Sequence, residues 1–228
     1  MTSKKHTNHQ KENRQKGRIF AIGDIHGCNN ELRRLLSLID PDPLNDKIVF
    51  LGDYIDRGPD SRGVIDTILD FKKAFPDTIC LRGNHEDMFL DSYLNENHVE
   101  LYLFNRGAST LRSYGVSLSD FPAVKFLSEE HLTFFTNLPL YYETDDYIFV
   151  HAGLRPKVSL EKQSPEDLLW IRNEFINSRQ DFGKKVIFGH TPLSEPLFET
   201  NKIGIDTGAA YGGCLTCLEL PSLNIIQV

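Results

Sequence analysis

The feature that most constrains this chain is an alternation of short apolar runs with segments of helical period, joined by glycine-bearing corners. "RIFAIG" (18–23) precedes "NNELRRLLSLI", where Leu32, Leu35, Leu36 and Ile39 recur at helical spacing. "KIVFLG" (47–52) precedes "SRGVIDTILDFKKAF" (61–75), with Val64, Ile65, Ile68, Leu69 and Phe71 on one face. "DTICLRG" (77–83) precedes "EDMFLDSYL", which predicts a third helix from Glu86 onward. Strand–helix–strand units of this length predict a parallel sheet with right-handed crossovers. The second half has a different rhythm. "PLYYE" and "YIFVHAG" read as a strand pair around Asp145–Asp146, and "KKVIFGHT", "IGIDTG" and "CLTCLEL" follow as strands with few helices between them. Such a chain is expected to pack two sheets face to face, with helices outside.

The charge of −7 is unevenly distributed and bounds the choice of partners. Residues 1–17 carry Lys4, Lys5, Lys11, Arg14 and Lys16 against Glu12 alone, and only Met1 is apolar. This stretch has nothing to bury and reads as a disordered, solvated tail before one domain spanning 18–228. The acidic remainder argues against a nucleic-acid binder. No apolar run is long enough for a membrane span, and no apolar segment follows the basic start as in a secretory signal. Four scattered cysteines suit a reducing compartment, so the cytoplasm is the expected location. Cys214 and Cys217 lie three apart on a strand, facing opposite ways, and cannot converge on zinc.

What stands just past the strand ends matters most. The first strand is followed by Asp24 and His26 in "GDIHG", and the second by Asp53, Asp56 and Arg57 in "GDYIDRG". The third gives Asn84 and His85 in "RGNHE", and later strands end at His151 and His190. In open α/β sheets the site lies outside the carboxyl ends of the strands, so five separate segments deliver polar groups to one edge. A single such corner is as well explained by a helix cap or a core histidine; five together point to a site. Asp24, His26, Asp53, Asn84, His151 and His190 are oxygen and nitrogen donors without a thiolate, a set suited to Mn²⁺, Fe or Zn²⁺. Six donors exceed the needs of one four-coordinate ion. Asp53, on the middle strand, could bridge two ions about 3.5–4 Å apart. Residues 95–137 are mostly helical, with breaks at Gly107, Gly115 and Pro122, and are expected to cap one edge of this site. Glu86 reads as an ordinary helix-start acid that could also steady the turn, and His98 and His131 as surface residues.

The motifs "GDIHG", "GDYIDRG", "RGNHE", "HAGLRP", "GHTP" and "DTGAAYGG" resemble the signature of the metallophosphoesterases over residues 18–220. More narrowly they resemble the small bacterial and phage branch of the phosphoprotein phosphatases, which cleave phosphoserine and phosphothreonine. The resemblance implies a four-layer αββα sandwich of two mixed sheets. It implies a first cation on Asp24, His26 and Asp53, and a second on Asp53, Asn84, His151 and His190. Two divalent ions, Mn²⁺ foremost, would activate a bridging water for in-line attack on phosphorus. His85 would be the general acid, oriented by Asp56, with Arg57 and Arg172 gripping the phosphate; the Arg172 assignment rests on the local pattern "LLWIRNEF". A guanidinium suits two phosphate oxygens at once, and an alkoxide leaving group needs a proton donor. The implied partner is a phosphoprotein substrate, with neither nucleic acid nor membrane, and the chain is expected to act as a stand-alone, monomeric catalytic domain.

The main alternative is the related group of diadenosine tetraphosphate hydrolases, which shares the cradle and the glycine-rich ending. That group has Asn at the position of Asp56 and "GNHD" in place of "GNHE", which favours a protein substrate here. Phosphotyrosine stays open, because these motifs read phosphate and cations, not the side chain that carries the ester. A non-catalytic phosphopeptide-binding module would have lost a ligand or the acid, and none is missing.

Overall fold

A computed structural model describes residues 17–228. The basic stretch 1–16 lies outside the described residues. The chain runs β1 (Ile19–Ile22), α1 (Asn29–Leu38), β2 (Lys47–Phe50), α2 (Ser61–Ala74), β3 (Ile79–Cys80) and α3 (Asn84–Asn95). A helical insert follows: α4 (Val99–Tyr102), a π-helical turn at Leu103–Gly107, α5 (Ala108–Ser113) and, after a loop, α6 (Glu129–Thr136). The second half contains β4 (Tyr141–Glu143), β5 (Tyr147–Val150), α7 (Pro165–Trp170), α8 (Asn173–Ile176), β6 (Lys185–Phe188), β7 (Leu197–Phe198), β8 (Lys202–Gly204), β9 (Thr216–Leu220) and β10 (Asn224–Gln227). None of these helices is long and apolar enough to cross a membrane.

Two five-stranded mixed sheets form, ordered β10-β9-β1-β2-β3 and β4-β5-β6-β8-β7. Strand alternation places successive side chains on opposite faces, and the three apolar clusters follow that rule. Ala21, Val49, Leu51, Phe149, Ile187, Ile203 and Leu218 meet between the sheets. Their neighbours Phe20, Ile22, Ile48 and Phe50 turn outward, to α1, α2, α3 and the insert. On the other sheet Ile148, Val150, Val186 and Phe188 turn outward, to Leu168, Ile171 and Phe175 around α7 and α8. The result is the expected helix–sheet–sheet–helix sandwich. Full burial of each large apolar side chain in it contributes roughly 1.5–3 kcal/mol.

Three features depart from the sequence reading. The third helix begins at Asn84, two residues early, because Gly83 serves as its N-cap and Glu86 reaches back to the Gly83 amide. His131 is buried, not superficial: its ring bridges Tyr114 Oη (2.7 Å) and Asp66 Oδ1 (2.9 Å), tying α6 to α2. Helices α7 and α8 were not foreseen; with six and four residues they are too short to display a period. Ser164 caps α7 by accepting the Asp167 amide, and Pro165 occupies its first turn.

The parallel pairing carries the site. β1, β2 and β3 leave the sheet in step, the amide of Leu51 bonding Ile22 O and that of Leu81 bonding Phe50 O, each at 2.9 Å. In the second sheet Gly189 N donates to His151 O at 2.8 Å. Five strand ends therefore open onto one edge.

Candidate active site

The corners at this edge are backbone devices. His26, Asp53, Asp56, Arg57 and His190 have φ of 48°, 53°, 70°, 65° and 63°. That left-handed region costs a non-glycine residue about 1–2 kcal/mol, so five of them in one cleft need strong local support. Much of it comes from Glu86. Its fully buried carboxylate accepts the amides of Asp53 (2.9 Å), Tyr54 (2.8 Å), Ile55 (3.3 Å) and Gly83 (3.0 Å). Burial and the nearby Asp53 push this carboxyl up to about 8, against the pull of its amide donors. The helix-start acid of the sequence reading is thus the anchor of the second corner. Asp53 O in turn accepts the amides of Ile25 (3.0 Å) and His26 (2.8 Å), tying the first corner to the second. Gly83 leaves no room for a side chain, which would strike the Asp53 carboxylate.

Two triads of candidate ligand atoms share Asp53: His26, Asp53 and His85, and Asp53, His151 and His190, each with its atoms within 4.8 Å of one another. Two ring orientations are set by backbone carbonyls. His26 Nδ1 donates to Ile55 O and His151 Nδ1 to Leu51 O, each at 2.8 Å. In each neutral ring Nε2 then presents a lone pair inward. His26 Nε2 lies 3.2 Å from Asp53 Oδ2, and His151 Nε2 lies 3.0 Å from Asn84 Oδ1 and 3.4 Å from Asp53 Oδ1. Asn84 Oδ1 also lies 2.9 Å from His190 Nδ1. Burial lowers the pKa of His151 and takes that of His190 down to about 2, which favours the neutral form that ligation requires. The lone pair of His151 Nε2 thus faces the oxygens of Asn84 and Asp53 in a buried cleft, which calls for positive charge between them, and nitrogen and oxygen donors of this kind fit a divalent cation.

Asp24 stands somewhat apart. Neither triad contains it, and both of its oxygens accept the His190 amide at 3.1 Å. Burial first, then Asp206 and Asp53, hold its carboxyl well above the usual range. Asp206 was not singled out from the sequence. It is buried within "IGIDTG", where it accepts the Gly208 amide (3.0 Å). Its position past a strand end was the available signal. Three buried carboxylates at one edge again favour a cation.

Beside these donors sits a second arrangement. His85 Nδ1 lies 2.7 Å from Asp56 Oδ2, both groups fully buried, while His85 Nε2 is buried without a hydrogen-bond partner. Burial lowers the His85 pKa, but Asp53 and the bond to Asp56 outweigh it, so the net shift is upward. The ring stands edge-on to His26 at 4.7 Å. Arg57 donates to His26 Nε2, and its guanidinium lies 5.3 Å over the ring of the exposed Tyr211. Arg172 Nε donates to His190 Nε2 at 3.1 Å, so the two arginines flank the cleft. Arg155 of "HAGLRP" secures the segment bearing Arg172, bonding Asp167 of α7 (2.8 Å) and Glu174 of α8 (2.7 Å). Every residue nominated from the sequence is therefore at this edge, with two linked donor sets and one histidine–aspartate pair.

A two-sheet sandwich with such an edge is the architecture of a phosphoester hydrolase, and comparison with known proteins agrees. The family model for calcineurin-like phosphoesterases matches residues 17–213, and the chain belongs to that family. It is 33% identical to serine/threonine-protein phosphatase 1 of Salmonella typhimurium, over 89% of this chain and 91% of that one. It is 26% identical to the asymmetrical bis(5'-nucleosyl)-tetraphosphatase PrpE of Bacillus thuringiensis, over 91% and 92%. The crystal structure of a putative diadenosine tetraphosphatase shares the fold, with a TM-score of 0.71, 24% identity and 94% coverage of both chains. The protein is an enzyme, a phosphoric monoester or related hydrolase, whose family implies divalent metal ions and phosphorylated substrates.

Proposed function

We propose that this enzyme is a metal-dependent serine/threonine protein phosphatase that releases phosphate from monoesters by in-line attack of water. The observation that carries the reading is His85: one ring nitrogen is locked on Asp56, and the other is buried and without a hydrogen-bond partner, in a ring grouped with His26 and Asp53. A phosphoserine or phosphothreonine ester leaves as a strongly basic alkoxide, and a dry imidazolium held by a carboxylate is suited to protonate it. Asp24, His26 and Asp53 would hold one divalent ion, and Asp53, Asn84, His151 and His190 a second, Mn²⁺ being the favoured species. Bound there, the ions supply an activated water and neutralise phosphate charge. Arg57 and Arg172 stand on their respective imidazoles and can swing their guanidinium forks onto the non-bridging oxygens of an entering phosphate. Asp56 keeps His85 oriented and favours its charged form. The 33% identity to a serine/threonine-protein phosphatase supports the same substrate class.

A second reading, hydrolysis of dinucleoside tetraphosphates, draws on the full-length similarity to PrpE. Comparing kcat/KM for a phosphoserine peptide with that for diadenosine tetraphosphate separates the two. A peptide preference is expected; a dinucleotide preference overturns the substrate assignment. His85→Asn is expected to lower kcat on the peptide by about 10²–10⁴-fold with bound metal retained. Loss of metal in that variant would make His85 a ligand instead of the acid.

A further inference from the structure

The histidine–aspartate pair does not end at Asp56. Oδ2 of that carboxylate faces His85, and Oδ1 accepts two hydroxyl hydrogen bonds, from Thr110 Oγ1 (2.6 Å) and Tyr102 Oη (2.9 Å). Both donors are fully buried and both belong to the helical insert, on α5 and α4 respectively. The Asp56 amide donates to Thr110 Oγ1 (2.9 Å) and Ser61 Oγ (3.0 Å). With the Thr110 proton on Asp56, Ser61 Oγ donates to Thr110 Oγ1 at 2.9 Å, and every proton is accounted for. The Asp56 carboxylate therefore has both oxygens occupied, accepting from His85, Tyr102 and Thr110.

The backbone of the insert is bent to make this possible. In a straight helix Tyr102 and Thr110, eight residues apart, would be about 12 Å apart along the axis and could not meet at one oxygen. Asn105 and Arg106 leave helical geometry, Arg106 at φ 75°, and the kink they make between α4 and α5 folds the two hydroxyls together. Gly107 completes the bend, since a side chain there would strike the Tyr102 ring. The left-handed Arg106 at this kink needs a compensating gain, and the shared Asp56 oxygen supplies one.

We propose that Tyr102 and Thr110 are positioning residues for the acid step, so that the insert helps to set proton delivery to the leaving group. Occupying Oδ1, they turn Oδ2 onto His85 Nδ1 and leave Nε2 as the one ring position from which a proton can be transferred. As water adds to phosphorus and the bond to the leaving oxygen breaks, that oxygen keeps the bonding pair and takes the Nε2 proton. His85 is left neutral, keeping the Nδ1 proton that it donates to Asp56 Oδ2, and is reprotonated at Nε2 from solvent. The inference rests on the phosphomonoesterase reading above and adds to it the residues that aim the acid.

The test uses two substrates that differ in their need for an acid: a phosphoserine peptide, which leaves as an alkoxide, and p-nitrophenyl phosphate, whose phenolate leaves unaided. Thr110→Val and Tyr102→Phe are each expected to lower the ratio of kcat on the peptide to kcat on the aryl ester by about tenfold, a fraction of the full acid effect. KM for the peptide should hold, and Thr110→Ser should restore the ratio. In a His85→Asn background neither change should lower the ratio further, since the acid is already gone. Equal losses on both substrates, or a further fall of the ratio without His85, would overturn the proposal. Should Thr110→Val fail to fold, Tyr102→Phe and Thr110→Ser still decide it. Wild-type protein inactive on both esters would instead refute the phosphomonoesterase reading itself.

Discussion

The donors around Asp53 and the groups around Asp56 are held by different kinds of structure. Around Asp53, ligand atoms stand on strand ends, and backbone partners orient them: Ile55 O and Leu51 O set two imidazoles, and Glu86 gathers four amides under the second corner. Around Asp56, side chains orient side chains, and two of the partners come from a bent helix outside both sheets. The first half of the site is part of the sandwich; the second is borrowed from an insert. On the proposed reading, cation binding would draw on the stability of the whole domain, whereas acid catalysis would be tuned by residues that never touch substrate.

That contrast can be broken from either side. The largest expected effect is at the shared donor: Asp53→Asn should reduce bound metal, read by elemental analysis, and lower kcat on the order of 10³-fold, the scale of losing a charge-stabilising group. Full metal content in that variant would remove Asp53 as the link between the two sets. Glu86→Gln keeps size but replaces an acceptor with a donor facing amide donors. It should cost about 1–3 kcal/mol in urea unfolding and weaken Mn²⁺ binding as the second corner loosens. Unchanged stability would mean that the corner holds without its anchor.

The smallest effect concerns the Arg172 segment. The Arg155 hydrogen bond lowers the Asp167 carboxyl below its ordinary range. A depressed folded-state pKa gives stability that is present above the unfolded value of about 3.9 and lost as pH falls through the folded value. Arg155 is half exposed, so less than about 1 kcal/mol is expected. Urea unfolding at pH 7 and pH 3 should show a slightly shallower acid loss in Asp167→Asn than in wild type; an equal or steeper loss would dismiss the contribution.

The same contrast explains what the sequence made legible. The alternation of strand and helix exposed the sandwich, because period and glycine corners are local signals. Asp24, His26, Asp53, Asn84, His85, His151 and His190 could be nominated because each stands immediately after a strand. Glu86 was read too modestly: its helix-start position is local, but its grip on Asp53, Tyr54 and Ile55 is not. Tyr102 and Thr110 were invisible, since their meeting at Asp56 depends on a bend at Asn105 and Arg106 that no apolar period announces. His131 looked superficial for a similar reason, its partners Tyr114 and Asp66 lying on other elements. Asp24, expected with His26 and Asp53 on one ion, lies in neither triad, and His85 lies in the first.

On the proposed reading one cleft, joined at Asp53, takes two divalent ions and hydrolyses phosphomonoesters only when it holds them. The direct measurement is titration of chelator-stripped protein with Mn²⁺, following bound ions per chain and phosphate released from a phosphoserine peptide together. Two ions per chain, with activity returning as the sites fill, is the predicted result. Undiminished hydrolysis by the stripped protein, before any Mn²⁺ is added, would contradict it.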